Sequence, residues 1–342
     1  LLTIGVIGCG YWGPNLIRNF VSLKESRVKT CTDLSEERLQ HMKQLYPSIE
    51  TTTNYMDIIE DPEIDAVVIA TPVSSHFPIA KAALEAGRHV FVEKPLAQSV
   101  DEGIRLIKLA DEKKRVLMVG HTFVYTAAVN KIKELINANE LGEIFYITTS
   151  RVNLGIFQED INVVWDLAPH DVSIMNYILN SHPISVSAVG HSYIQPEIED
   201  VAFINLRYPE AIVANIQVSW LNPNKIRKTT VVGSKKMLVY DDVSSLEKIR
   251  IYDKGVTVTP HYDTFGEFQL SYRYGDISIP KLEDAEPLKI ECQHFIDCID
   301  GKCDSRSSGR HGLEVLLALD AADRSMKDRG MEITIEYPDL FG

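Results

Sequence analysis

Three short stretches of this chain carry residue types at spacings that chemistry requires. Near the start, IGVIGCGYWGPNL sets Gly8, Gly10 and Gly13 at the spacing G-x-G-x-x-G. There the first glycine permits a tight turn, the second lets backbone approach a pyrophosphate, and the third lets a helix pack closely on a strand. Further on, FVEKPLA carries Glu93, Lys94 and Pro95, and VVWDLAPHDVSIM carries Asp166 and His170 four positions apart. A lysine closing an apolar run is costly without a partner or a task; beside a reacting hydroxyl its ammonium would stabilise developing alkoxide. Asp and His at i and i+4 share a helix face, where the carboxylate can orient the ring and stabilise its protonated form, as a general base requires. Each stretch also has an ordinary reading: a packing turn, a structural Glu–Lys ion pair, and a helix cap beside an interior histidine.

The elements that must position these residues are legible in the first third. LTIGVIG, RVKTCTD, IDAVVIATP, HVFVEKP and RVLMVGH read as strands, LTIGVIG and IDAVVIATP as continuous apolar runs, and helical patterns separate them. Strands without polar alternation, each followed by an amphipathic helix, imply a parallel sheet covered on both faces. A doubly wound α/β domain over residues 1–121 is expected, with ligands beyond the carboxyl ends of its strands. Those ends carry Gly8 to Gly13, Asp33, Thr71 and Pro72, Glu93 to Pro95, and Gly120 with His121. Helix N–H groups after the glycine loop would face phosphates, and Pro14 suits an early helical position. The backbone of Tyr11 and Trp12 is then expected at the pyrophosphate, with both side chains edging toward the nicotinamide half. Asp33, twenty positions after Gly13, stands where an acid binds a ribose 2′-hydroxyl and repels a 2′-phosphate, which favours NAD over NADP. S-adenosylmethionine is the rival ligand for such a loop; Lys94 argues against it, because methyl transfer has no use for that ammonium.

Beyond a helix at AAVNKIKELINA the pattern changes to longer, alternating strands, interrupted by a helix at APHDVSIMNYILN. This reads as an α+β domain over residues 122–342 with a large, mostly antiparallel open sheet. The tail gives two further helices that would pack back on the first domain. Pro169 places Asp166 at or near a helix start, and Asp171, about 100° round the helix, reads as a solvated first-turn acid.

The chain has 342 residues, a net charge of −13 and 45% hydrophobic content. The length favours two domains. The acidic balance argues against nucleic acid as a partner. Five cysteines, Cys9, Cys31, Cys292, Cys298 and Cys303, form no C-x-x-C pair, so neither a disulfide framework nor a metal site is expected. No basic leader with an apolar core and no membrane-spanning run is visible, so a cytoplasmic protein is expected.

GVIGCGYWG, ATPVSSH, AGRHVFVEKPLA and WDLAPHD together resemble the Gfo/Idh/MocA family, the relatives of glucose–fructose oxidoreductase and inositol 2-dehydrogenase. The resemblance spans essentially the whole chain. It implies an N-terminal Rossmann domain, an NAD(P)-dependent dehydrogenase, and homodimers or homotetramers built through the open sheet face. It further implies Lys94 as catalytic lysine, His170 as proton acceptor with Asp166, Thr71 and Pro72 on the adenosine side, Glu93 near the nicotinamide ribose, and His76 after that loop. His121 departs from the Arg or Asn common there. GYWGPNL and RVNLGIFQEDINVVWDLAPHD are similar to members acting on sugar nucleotides in surface-polysaccharide pathways, UDP-N-acetylglucosamine 3-dehydrogenases among them. A substrate of that kind would draw on Lys94, His121, Arg151, Asn153, Trp165, Asp166 and His170, with Lys225, Arg227 and Lys228 as further cations for a diphosphate. An inositol or free-sugar dehydrogenase, a keto-sugar-nucleotide reductase, and a non-catalytic dinucleotide sensor are the alternatives.

Overall fold

The computed structural model describes residues 1–258 and 270–341. The chain begins with strands and helices in alternation: β1 (Leu2–Ile7), α1 (Gly13–Ser22), β2 (Ser26–Thr32), α2 (Glu36–Leu45), β3 (Glu50–Thr52), α3 (Met56–Glu60), β4 (Ala66–Ile69), α4 (His76–Glu85), β5 (His89–Glu93), α5 (Val100–Lys113) and β6 (Leu117–Gly120). All six strands pair in parallel, in the order β3-β2-β1-β4-β5-β6. β4 is buried at every position, as a sheet covered on both faces requires. The strand order reverses between β1 and β4, so the loop after β1 opens at the switch point of the sheet. β3, three polar residues, and α3, a turn and a half, are too short to announce themselves by periodicity.

The second unit starts with α6 (Ala127–Asn137), β7 (Ile144–Val152) and α7 (Val163–Leu179). β8 (Ser185–His191), β9 (Val201–Arg207), β10 (Val213–Ser219), β11 (Ile226–Gly233), β12 (Met237–Asp241), β13 (Ile249–Val258) and β14 (Leu270–Ser278) follow, and β15 (Ile333–Thr334) closes the edge. They form a nine-stranded sheet in the order β14-β13-β12-β11-β7-β10-β9-β8-β15. Only β7 and β10 run parallel; the other pairs are antiparallel. α7 packs on β7, β9 and β10. In β9 buried and exposed residues alternate, so one face of the sheet meets the helix and the other stays open. That open face carries Phe203 and Val213, both exposed.

Two helices lie in the tail, α8 (Pro287–Ile299) and α9 (Gly309–Lys327). The chain divides into two compact units, one of residues 1–126, 285–320 and 337–342, the other of residues 127–284 and 321–336. α8 joins the first unit by packing on α1, where Phe20, Phe91 and Phe295 are fully buried with ring centroids 5.6–6.4 Å apart. Edge-to-face rings of this kind add about 0.5–1.5 kcal/mol per pair beyond their burial. No described helix is long and apolar enough to cross a membrane.

Candidate active site

The glycine loop is glycine for two different reasons. Gly8 has φ +99°, and a Cβ there would lie 2.5 Å from the Ala70 carbonyl oxygen. A Cβ on Gly13 would lie 2.0 Å from the Gly8 carbonyl oxygen, so α1 can approach β1 only without a side chain. At Gly10 nothing in the protein stands in the way: the nearest atom to a Cβ would be an Arg38 nitrogen at 3.7 Å. The protein therefore leaves a space beside Gly10 that a ligand's phosphates can use. α1 begins there with no side-chain cap; Pro14 has no N–H and the Asn15 N–H donates to the Trp12 carbonyl at 3.0 Å, so the Gly13 N–H is the helix-start donor left for a ligand. These features fit a bound dinucleotide. Tyr11 is 84% exposed and Trp12 41%, their rings edge-to-face at 5.5 Å.

Asp33, just past β2, locks this loop in shape. Its carboxylate accepts the Cys9 N–H at 2.7 Å on one oxygen and the Ser35 N–H at 2.9 Å on the other. The oxygen that takes the Ser35 N–H keeps a lone pair for a ribose hydroxyl, while the other also faces the Arg38 guanidinium. Arg38, in the first turn of α2, lies 3.5 Å from the same carboxylate and is mostly exposed. Cys9, Asp33, Leu34, Ser35, Arg38 and His41 help to line a cleft of about 760 Å³. No motif marks Arg38, because only the turn after Asp33 brings it to the carboxylate.

Thr71 and Pro72 follow β4, where the Ser75 hydroxyl donates to the Thr71 hydroxyl at 2.7 Å. His76 does not face open space. Its ring is 1% exposed, with one nitrogen 2.8 Å from the Pro95 carbonyl and the other 2.9 Å from the Thr71 carbonyl. Burial holds it below the usual imidazole range. The ring is thus a brace between the loop after β4 and the turn after β5.

Glu93 and Lys94 straddle the end of β5 and differ sharply. Lys94 is half-buried, whereas Glu93 is 7% exposed, with its carboxyl pressed against Gly120 of the neighbouring strand. Burial pushes this carboxyl up to about 7, against the pull of the Lys94 charge. Behind it, Glu291 of α8 is fully buried and accepts the Thr122 hydroxyl at 2.7 Å. Burial, and then the nearby Glu93 charge, holds Glu291 well above the usual carboxylate range. His121 is 1% exposed and edge-to-face with His311 at 5.4 Å. Burial, and then the charges of His311 and Lys94, holds it well below the usual imidazole range. The ring is enclosed, and neither of its nitrogens has a hydrogen-bond partner among the described residues.

In the second unit α7 begins five residues before the pattern suggests. Asn162 caps it, its side-chain oxygen accepting from Val164 N–H and Trp165 N–H, so Asp166 is not the cap. Asp166 lies in the first turn and His170 one turn later, with Pro169 inside the helix. The Asp166 carboxylate accepts the Trp220 indole N–H at 3.0 Å, and Trp220 is 1% exposed. Trp165 donates its indole N–H to Asp323 at 2.7 Å. Asn153 donates its backbone N–H to the Ser219 carbonyl at 3.2 Å, beside Trp220. Trp220 closes a strand in the sequence, but nothing there says that it holds Asp166.

Two expectations change here. Asp171 is 2% exposed, not solvated, and Arg151 is 5% exposed. They form a two-pronged ion pair at 2.8 and 3.1 Å inside the domain. Arg151 therefore faces an internal carboxylate and not a ligand. Arg227 pairs with Asp242 at 3.5 Å and Lys228 with Asp241 at 3.8 Å, while Lys225 is exposed.

Comparison with known proteins adds the family. Residues 2–121 match the family described as "Oxidoreductase family, NAD-binding Rossmann fold", and residues 129–239 match the Gfo/Idh/MocA C-terminal domain. The chain is 26% identical, over 75% of its length and 78% of the relative's, to UDP-N-acetylglucosamine 3-dehydrogenase of Acidithiobacillus ferrooxidans. It is 25% identical to myo-inositol 2-dehydrogenase of Thermotoga maritima, over 96% and 97% of the two chains. Among solved structures it resembles the WlbA dehydrogenase from Bordetella pertussis in complex with NADH and UDP-GlcNAcA, with TM-score 0.80, 23% identity, and 98% and 99% of the chains covered. The chain is a member of the Gfo/Idh/MocA family of oxidoreductases, and its first domain is that family's NAD-binding Rossmann fold.

Proposed function

We propose that the chain is an NAD-dependent dehydrogenase of a secondary alcohol on a sugar or sugar nucleotide, with C3 of UDP-N-acetylglucosamine as its preferred site. What supports this reading is, in the second unit, Asp166 and His170 one turn apart on α7 with Trp220 fixing Asp166 and, in the first unit by itself, half-buried Lys94 just after β5. Bound NAD supplies the hydride acceptor. The loop from Gly8 to Gly13 and the N-terminus of α1 hold its phosphates, and Asp33 takes the ribose hydroxyls. Thr71 and Pro72 line the adenosine side, and His76 steadies their loop through the Thr71 carbonyl. Lys94 binds the reacting oxygen and stabilises negative charge as it develops. His170 accepts the hydroxyl proton. Asp166, fixed by the Trp220 indole, orients the ring and favours its protonated form. Tyr11 and Trp12 present backbone N–H groups to the pyrophosphate, and Trp165 and Asn153 border the sugar.

The likeness to UDP-N-acetylglucosamine 3-dehydrogenase supports the sugar-nucleotide choice. A second reading, an inositol or free-sugar dehydrogenase, draws on a specific observation. Arg151, Arg227 and Lys228 are engaged with Asp171, Asp242 and Asp241, which leaves fewer exposed cations for a diphosphate. We further propose a cytoplasmic homodimer or homotetramer joined through the open sheet face. A screen of UDP-N-acetylglucosamine, myo-inositol and free hexoses, followed by absorbance of reduced nicotinamide, tests the substrate. Turnover of the UDP-sugar is expected; activity on myo-inositol alone selects the second reading. If no alcohol is oxidised although NAD binds, catalysis of this kind is refuted and a dinucleotide sensor remains.

A further inference from the structure

The segment that joins α8 to α9 gathers three metal-binding side chains in the first unit. His294 and Cys298 lie one turn apart on α8, where the i, i+4 spacing puts both on one face. The chain then reverses through Asp300–Lys302, with Gly301 N–H donating to the Cys298 carbonyl at 3.1 Å and Lys302 N–H to the Asp297 carbonyl at 2.9 Å. This turn lays Cys303 over the same face. The Cys298 and Cys303 sulfurs are 3.7 Å apart, and the Cys303 sulfur is 3.6 Å from His294 Nδ1. All three ligand atoms lie within 4.8 Å of one another. Cys292, fully buried, is not part of the group.

We propose that His294, Cys298 and Cys303 bind one thiophilic divalent cation of the zinc type. A tetrahedral zinc with Zn–S near 2.3 Å and Zn–N near 2.05 Å sets its ligands about 3.8 Å apart for S···S and about 3.6 Å for S···N. The observed separations match two of the three edges that these ligands span, and the third, Cys298 to His294, lies within 4.8 Å. A disulfide would need sulfurs about 2.0 Å apart and would give the imidazole no part. Cys303 is exposed, and a cleft of about 210 Å³ lined by Cys298, Cys303, Asp304 and Ser308 gives a path of entry. Water or the Asp304 carboxylate from that cleft completes the fourth position. His294 Nε2 accepts the Arg306 N–H at 3.1 Å. With the cation on Nδ1 the ring proton moves to Nε2, so binding gives up the Arg306 N–H contact there. The spacing H-x3-C-x4-C follows no common zinc pattern, so the site shows only in the fold.

The cation would tie the end of α8 to the segment that borders β6. Ser307 in that segment accepts the Val119 N–H at 2.8 Å and shares a hydrogen bond with the Tyr125 hydroxyl at 2.9 Å. The role is structural, and thiol deprotonation couples binding to proton release.

The test uses the reduced full-length protein, stripped of metal and titrated with Co²⁺. One equivalent should bind with the visible bands of tetrahedral thiolate coordination, and Zn²⁺ should displace it. Cys303→Ser removes an exposed ligand; with an unchanged circular dichroism spectrum it should lose the bands and weaken binding by at least about tenfold. Reduced protein that takes up no Co²⁺, or bands that survive Cys303→Ser, would overturn the proposal. Recovery of a Cys298–Cys303 disulfide from protein that binds no cation when reduced would also overturn it.

Discussion

Replacing Asp171 with Asn strands the Arg151 guanidinium inside the second unit. The two residues are 2% and 5% exposed and meet through two hydrogen bonds of 2.8 and 3.1 Å. Removing one partner of such a pair leaves an uncompensated buried charge and costs about 3–5 kcal/mol. For a cooperative unit of roughly 150–250 residues, each kcal/mol moves the midpoint by roughly 2–4 °C. Asp171→Asn should therefore lower that midpoint by roughly 6–20 °C. The double change Arg151→Met with Asp171→Leu removes both charges at similar volume, and it should return most or all of the loss. Thermal unfolding by circular dichroism, with urea titration of tryptophan fluorescence as a second probe, measures all three proteins. The opposite assignment, Arg151 as a cation for substrate, makes different predictions. If Asp171→Asn keeps its midpoint within about 2 °C while Arg151→Met raises KM alone, the structural reading of the pair is wrong.

Further outcomes follow from the first unit. Gly10→Ala should keep its thermal midpoint and lose about tenfold or more in NAD affinity by calorimetry, because its Cβ enters only the ligand's space. Gly13→Ala should destabilise by more than about 2 kcal/mol, because its Cβ would sit 2.0 Å from the Gly8 carbonyl oxygen. Equal midpoints for the two variants would refute this division. Asp33→Asn removes the charge facing a 2′-phosphate and leaves Arg38 beside it, so the ratio of kcat/KM for NAD over NADP should fall by about tenfold or more; an unchanged ratio would place cofactor choice elsewhere. Glu93 holds its proton in the folded state up to about pH 7, above its ordinary value of 4.5. Its contribution to stability is therefore full below pH 4.5 and lost as pH rises through 7. The loss is on the order of 3 kcal/mol, and buried Glu291 acts in the same direction. Urea midpoints should fall between pH 5 and 7 more steeply for the natural chain than for Glu93→Gln; parallel profiles would contradict the assignment.

How far the sequence reveals these arrangements depends on the range of the interaction. IDAVVIATP and its sister runs announce a parallel sheet because an unbroken apolar strand makes sense only when both faces are covered. The types of Gly8, Gly13, Lys94, Asp166 and His170 are equally visible, since local spacing carries their meaning. The start of α7 is not, because Pro169 imitates a start signal while the side chain of Asn162 caps two N–H groups further upstream. β12 is hidden in KTTVVGSKKMLVYDD, where one alternating stretch folds into two antiparallel strands, β11 and β12. Pairings across long separations leave no local trace. Arg151 with Asp171, Asp166 with Trp220, and Thr122 with Glu291 are all products of the packed domain. That is why Asp171, read as a solvated acid, and Arg151, read as a cation for substrate, prove to be buried together, and why the buried acids Glu93 and Glu291 are legible only in the fold.

The central claim is that Lys94 acts on the reacting oxygen and is not needed to hold NAD. Its most direct test pairs two numbers for Lys94→Ala: kcat for NADH formation on the best alcohol substrate, and the Kd for NAD by calorimetry. The account predicts a kcat lowered by about 10²–10³ with an NAD affinity close to that of the natural chain. A variant that keeps its kcat, or that loses turnover only because NAD no longer binds, would contradict it.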